Sequence, residues 1–186
     1  MHTTIGWVLF SRYGTIILTR SNLLIVICIW GFLCLICLIF CHSLATILVG
    51  ICFAGLLLTV SFTDYMTLNI PHEFIGCIGV LACTAFFLGA PENLDLANRW
   101  LGSCIAMIPL LICAVGFNGF GGGDIKLMAV IGFLLGDYRA YFALFLALIV
   151  GISNAIVLLL TRKITRKDAF PFAPALSIGS FIAFLL

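Results

Sequence analysis

Residues 22–41 form a nearly continuous apolar run, long enough to cross a hydrocarbon core about 30 Å thick as a single helix. Further apolar stretches follow at about 44–63, 72–90, 97–117, 124–136, 140–160 and 171–186. Backbone polar groups in hydrocarbon must bond within their own segment, so repeated runs of this length predict helices and little else. The expected fold class is all-α: a polytopic membrane helical bundle of about seven spans, or six if the short fifth or the seventh is re-entrant. Composition agrees, with 64% hydrophobic residues, 9% charged residues and a mean hydropathy of +1.32, where a soluble domain carries roughly 25% charge.

A chain of 186 residues has no room for a sizeable soluble domain beside these spans. The expected organisation is one membrane-embedded domain, 22–186, behind a cytoplasmic or interfacial segment, 1–21. Within that segment Trp7, Phe10, Tyr13 and Ile16 mix with Arg12 in a pattern suited to lying along the interface. The run from Leu23 to Phe40 is longer than a signal-peptide core and no small-residue cleavage site follows, so the first span is expected to stay as an anchor. The net charge of +2 is spread thinly and builds no basic face, which argues against nucleic acid as a partner and leaves membrane lipids as the surroundings.

With the N-terminus cytoplasmic, Arg12, Arg20, Lys126, Arg162, Lys163, Arg166 and Lys167 all fall on the cytoplasmic side, and only Arg99 and Arg139 fall outside. The protein is therefore expected in the cell membrane as a multi-pass protein. Its nine cysteines lie in or at the edges of apolar spans, where a thiol behaves as a small hydrophobe. The Cys34-x-x-Cys37 pair lacks the second pair of a zinc site and the solvent access of a redox site. Small residues recur every four positions at Ala143, Ala147, Gly151 and Ala155, and again at Ala175, Gly179 and Ala183, predicting close helix packing. Ser153 and Asn154 are expected to add interhelical hydrogen bonds.

Two aspartates stand where a membrane makes charge costly, and such groups mark functional sites by default. Asp64 ends the second apolar stretch, and Asp124 closes the run Gly121-Gly122-Gly123. The topology puts both at the cytoplasmic ends of spans two and five, so they can meet despite their separation in sequence. Glycines ahead of Asp124 let the chain bend sharply and admit a second backbone, such as a peptide substrate. Each acid also has a plain structural reading. Asp124 can cap the helix beginning at Ile125, and Asp64 can be hydrated in the loop from Thr63 to Asn69. Together they supply the parts of a proton-sharing pair.

Asp64 with Ile70-Pro71, then Phe120-Gly121-Gly122-Gly123-Asp124-Ile125-Lys126-Leu127, and finally Phe170-Pro171-Phe172-Ala173-Pro174, resemble the type IV prepilin peptidases, GxGD-type aspartyl proteases of the membrane. The likeness covers roughly residues 44–186. It implies an aspartic endopeptidase that removes the short basic cytoplasmic leader from prepilin-like membrane preproteins, with Asp64 and Asp124 as the catalytic pair. Gly121, Gly122, Gly123, Lys126 and Pro174 match the supporting motif positions. No metal or organic cofactor is needed. The paired Cys-x-x-Cys insert of the bifunctional members is missing between spans one and two, so methyl transfer is not expected. His72, where the family more often has asparagine, reads as an interfacial polar residue.

One ionised carboxylate takes a proton from water while the other, protonated, donates to the scissile carbonyl. Asp124 precedes a helix and Asp64 follows one, so helix dipoles assign the base to Asp124. Other readings are a small transporter or channel with proton- or cation-binding carboxylates, and a noncatalytic scaffold.

Overall fold

The computed structural model describes residues 7–11, 14–18, 20–91, 94–117, 121–161 and 171–186. Seven helices follow a short hairpin: α1 (Arg20–Phe40), α2 (Leu44–Thr67), α3 (His72–Phe87), α4 (Leu96–Phe117), α5 (Gly122–Leu135), α6 (Asp137–Leu160) and α7 (Ala173–Leu185). Each corresponds to one of the apolar runs. The hairpin pairs β1 (Trp7–Ser11) with β2 (Gly14–Leu18) antiparallel, Trp7 opposite Leu18. The segment expected to lie along the interface is thus extended, as its β-branched and aromatic content favours. Arg12, Tyr13, Gly119, Phe120, Arg162, Lys163, Arg166, Lys167 and Phe170 lie outside the described residues, as do the side chain of Arg20 and the charge pattern these residues set.

Helices α2, α4 and α6 are long and apolar enough to cross a membrane, and Leu24–Phe40, α3 and α7 are shorter apolar helices. Outward-facing residues such as Leu48, Val80, Phe87, Val115, Ile152 and Leu160 are exposed and apolar, the surface a lipid environment requires. The chain is a membrane protein with an all-helical bundle. Helices α5 and α7 have 14 and 13 residues, about 20 Å at 1.5 Å per residue and short of the core thickness. Both run through the protein interior, Leu127, Met128 and Ile131 of α5 and Ala175, Leu176 and Gly179 of α7 being buried.

Small residues set the helix spacing. A Cβ on Gly179 would meet the Ala143 carbonyl oxygen and the Ala147 nitrogen at 2.5 and 2.6 Å, so α6 and α7 touch backbone to backbone along the stripes seen in the sequence. Gly102 and Gly132 do the same for α4 and α5, each occupying space next to the other's backbone carbonyl. The polar residues of the α6 stripe behave otherwise than expected. Ser153 bonds the Ile149 carbonyl of its own helix and, like Asn154, faces outward.

The last third of α2 is rich in hydroxyls for a membrane helix. Thr59, Ser61, Thr63 and Thr67 each lie within hydrogen-bonding reach of a carbonyl one turn back, so α2 itself can satisfy its hydroxyls. The helix stops at Leu68, whose φ of 52° lies in the left-handed region and whose N–H returns to the Asp64 carbonyl. Gly136, with φ of 80°, turns the chain from α5 into α6, a conformation glycine adopts without penalty.

Candidate active site

The C-terminal end of α2 and the N-terminal ends of α5 and α7 come together at one end of the bundle. Asp64 sits in the last turn of α2 and is 5% exposed; Asp124 sits in the first turn of α5 and is 9% exposed. Both lie at this end of the bundle, where α2 closes and α5 begins. The sequence-predicted pair is therefore brought together, and neither acid is the hydrated surface group of the plain reading.

Asp64 is held by a helix that the sequence did not link to it. Its Oδ2 accepts the Ala173 backbone N–H at 2.9 Å, the first amide of α7. The neighbouring residues explain why that amide is available. Phe172 is the N-cap of α7 and makes no side-chain capping bond, Pro174 has no N–H, and the Ala175 and Leu176 amides return to the Phe172 carbonyl. One orphan donor remains in this turn, and Asp64 takes the place that a capping side chain would fill.

Asp124 is placed by its glycines. Gly121 is the N-cap of α5 with φ of −72° and ψ of 148°, and Gly122 and Gly123 already lie in the helix. No left-handed bend is present among these three, which begin an ordinary helix, and Gly119, the fourth glycine of the expected bend, lies outside the described residues. Their small size is what the structure uses. Asp124 Oδ2 lies 3.4 Å from where a Cβ at 121 would be, and the Gly121 amide faces the carboxylate in the manner of a capping box. A Cβ on Gly123 would meet the Ile70 side chain at 3.2 Å, so Ile70, 5% exposed, seats the α2–α3 connection against α5. Gly122 faces open space. Asp124 Oδ1 is buried with no hydrogen-bond partner among the described residues.

The remaining motif residues are spread around this pair. Lys126 is exposed on α5, and His72 is exposed at the start of α3. Pro174 is half-buried and lines an apolar groove of about 480 Å³ between α1, α2 and α7, whose walls include Leu33, Leu57, Phe181 and Ile182. Ser61 and Ser177 meet at 2.7 Å on its wall and tie α2 to α7 one turn from Asp64. Sequence reasoning named Ala173 only as part of the C-terminal motif and missed its bond to Asp64, because a backbone amide carries no residue-type signal. It also missed the seat that Gly123 gives Ile70, although both motifs were in view. All nine cysteines are free thiols in or beside helices, and the described residues hold no cluster of His, Cys, Asp or Glu able to bind a metal.

Two buried acids gathered at one end of an apolar helical bundle define the architecture of a polytopic membrane protein of the paired-aspartate type. Residues 51–156 match the model of the type IV leader peptidase family. The chain belongs to that family. It is 34% identical over 141 residues to the prepilin leader peptidase/N-methyltransferase of Bacillus subtilis (strain 168), covering 73% of this chain and 54% of that protein. The protein of the same description from Neisseria gonorrhoeae is 29% identical over 146 residues, 73% of this chain and 47% of the relative. That from Aeromonas hydrophila is 39% identical over 70 residues, 38% and 24%. The chain thus spans about half the length of the first two relatives, and no solved structure matches it significantly.

Proposed function

We propose that the 22–186 bundle is an aspartic endopeptidase that removes the short basic leader from prepilin-like membrane preproteins, with Asp64 and Asp124 as its catalytic residues. The observation that carries this reading is the burial of two carboxylates, sixty residues apart in sequence, at one end of the bundle, with Asp64 held by the first amide of α7. Family membership supports the peptidase reading and gives the transporter reading no support.

The contacts favour the opposite division of labour from the helix-dipole assignment. Both carboxylates face a helix N-terminal amide, but Asp64 accepts the Ala173 N–H at 2.9 Å and, unlike Asp124, leaves no buried oxygen without a partner among the described residues, so Asp64 is the base that takes a proton from the attacking water. Asp124, with a buried Oδ1 lacking a partner, carries the shared proton and donates it to the scissile carbonyl oxygen. As the tetrahedral intermediate collapses, Asp64 returns its proton to the leaving amine and Asp124 recovers its own. Gly121 and Gly122 leave an uncrowded helix start beside the scissile bond, Gly123 makes room for Ile70, Pro174 borders the groove next to the pair, and Lys126 places positive charge near the lipid headgroups. The reaction needs no metal or organic cofactor. Only Cys41–Ser43 join α1 to α2, so the proposal is confined to hydrolysis and does not include methyl transfer.

The test is cleavage, in detergent or lipid, of a substrate carrying a basic leader, a glycine and a hydrophobic helix. Wild-type protein cuts it; Asp64→Asn and Asp124→Asn each lose activity by about a thousandfold or more, and the double variant loses no more than either alone, as residues acting as one unit do. Cleavage surviving both substitutions would sink the reading.

A further inference from the structure

Gly151 of α6 is one position in a packing stripe, yet what it packs against is not another helix backbone. A Cβ there would overlap the ring of Phe172, reaching Cδ2 at 2.9 Å and Cζ at 3.2 Å, with Cε2 closer still. The ring is buried at 8% exposure and rests on the bare α6 backbone at the residue before Ala173. Gly179 sets α7 directly on the backbone of Ala143 and Ala147, so α6 and α7 are closely packed along the same stripe and a methyl group at 151 displaces the ring or the α7 N-terminus that carries it. Gly151, Phe172, the Ala173 amide and Asp64 therefore form a continuous line across α6, α7 and α2.

We infer that Gly151 and Phe172 are positioning residues for Asp64: the ring, seated on glycine, fixes the α7 N-terminus and through the Ala173 amide aims the carboxylate. The inference rests on the peptidase reading for its effect on rate. The link is sensitive, since moving the amide by about half an ångström takes the 2.9 Å bond to the limit of hydrogen bonding, about 3.5 Å. Substrate contacts are not part of this line, so binding should survive when catalysis does not.

The experiment is a double-mutant cycle in the full-length membrane protein. Gly151→Ala lowers kcat about tenfold or more, as a misplaced catalytic group does, and leaves KM within about twofold. Phe172→Leu removes most of the ring, lowers kcat to a lesser degree, and makes Gly151→Ala harmless when the two are combined. Exchange of the Ala173 amide with solvent, followed in protein labelled with nitrogen-15 alanine, rises about tenfold in Gly151→Ala and gives a readout independent of activity. Gly50→Ala, which crowds Phe184 and Cys37 away from the pair, controls for general loosening of the bundle. A normal kcat in Phe172→Leu, a loss in Gly151→Ala that persists without the ring, an unchanged Ala173 exchange rate, or an equal loss of kcat in Gly50→Ala would each overturn the inference. If wild-type protein cuts no leader substrate, the peptidase reading fails, while the exchange measurement still decides whether Gly151 and Phe172 hold the amide.

Discussion

Ala173 has no reactive side chain, and its backbone N–H is nonetheless what the Asp64 carboxylate accepts. The Phe-Ala-Pro order around it has a physical reason, since Phe172 cannot cap, Pro174 cannot donate and the amide between them is left for the acid. Residue types drew attention to this segment, but nothing in them says which amide points where. Leu68 is legible only in the structure as well. Its left-handed backbone costs a side-chain-bearing residue about 1 kcal/mol, so Leu68→Gly should raise the midpoint of thermal unfolding in detergent; a lower midpoint would mean that the conformation carries no strain. Arg99, expected at the outer end of the fourth span, is fully buried there. It donates to the Ala90 carbonyl at 3.0 Å and the Leu134 carbonyl at 3.3 Å, beside the Phe86 ring and at the negative end of the α5 dipole. Arg99→Met should destabilise the protein by about 2–4 kcal/mol by stranding those carbonyls, read from the same unfolding curves.

At the scale of elements, all seven helices were visible as apolar runs, because a chain in hydrocarbon has few other ways to satisfy its backbone. The hairpin at Trp7–Leu18 was not, since a short mix of aromatic and β-branched residues suits a strand and an interfacial segment alike. Stripes of small residues correctly marked the α6–α7 contact, where Gly179 lies on Ala143 and Ala147. The same spacing at Gly102 and Ala106 marks where α4 crosses α5, and there Gly102 abuts the carbonyls of Gly132 and Gly136. Because the obstacle is backbone, Gly102→Ala should cost about 1–3 kcal/mol of stability, more than Gly76→Ala, which meets nothing within 4 Å. Equal unfolding midpoints for the two would contradict the close crossing. The glycines before Asp124 show the limit of such reading: a triple glycine suggests a hinge, yet the structure uses two of them for room and starts a helix on them.

At the scale of the whole molecule, the buried charges separate. Asp64 and Asp124 lie at one end of the bundle, and Arg99 lies at the other, beside the C-terminal end of α5. That the acids share one side was legible because two crossings, α3 and α4, lie between them; their environment was not, because it depends on which helix ends touch. We propose that the acidic end faces the cytoplasm, on the positive-inside bias of the sequence. A cysteine at position 68 should then react with an impermeant maleimide only after cells are opened, while one at position 137 should react from outside; the reverse pattern would invert the topology. The Ala173 amide carries a last consequence. A ribosome that has emitted α2 and α5 has made both acids but not the helix whose first amide aims one of them. On the proposed chemistry the nascent protease stays silent through most of its synthesis, and hydrolysis begins only when α7 enters the bundle.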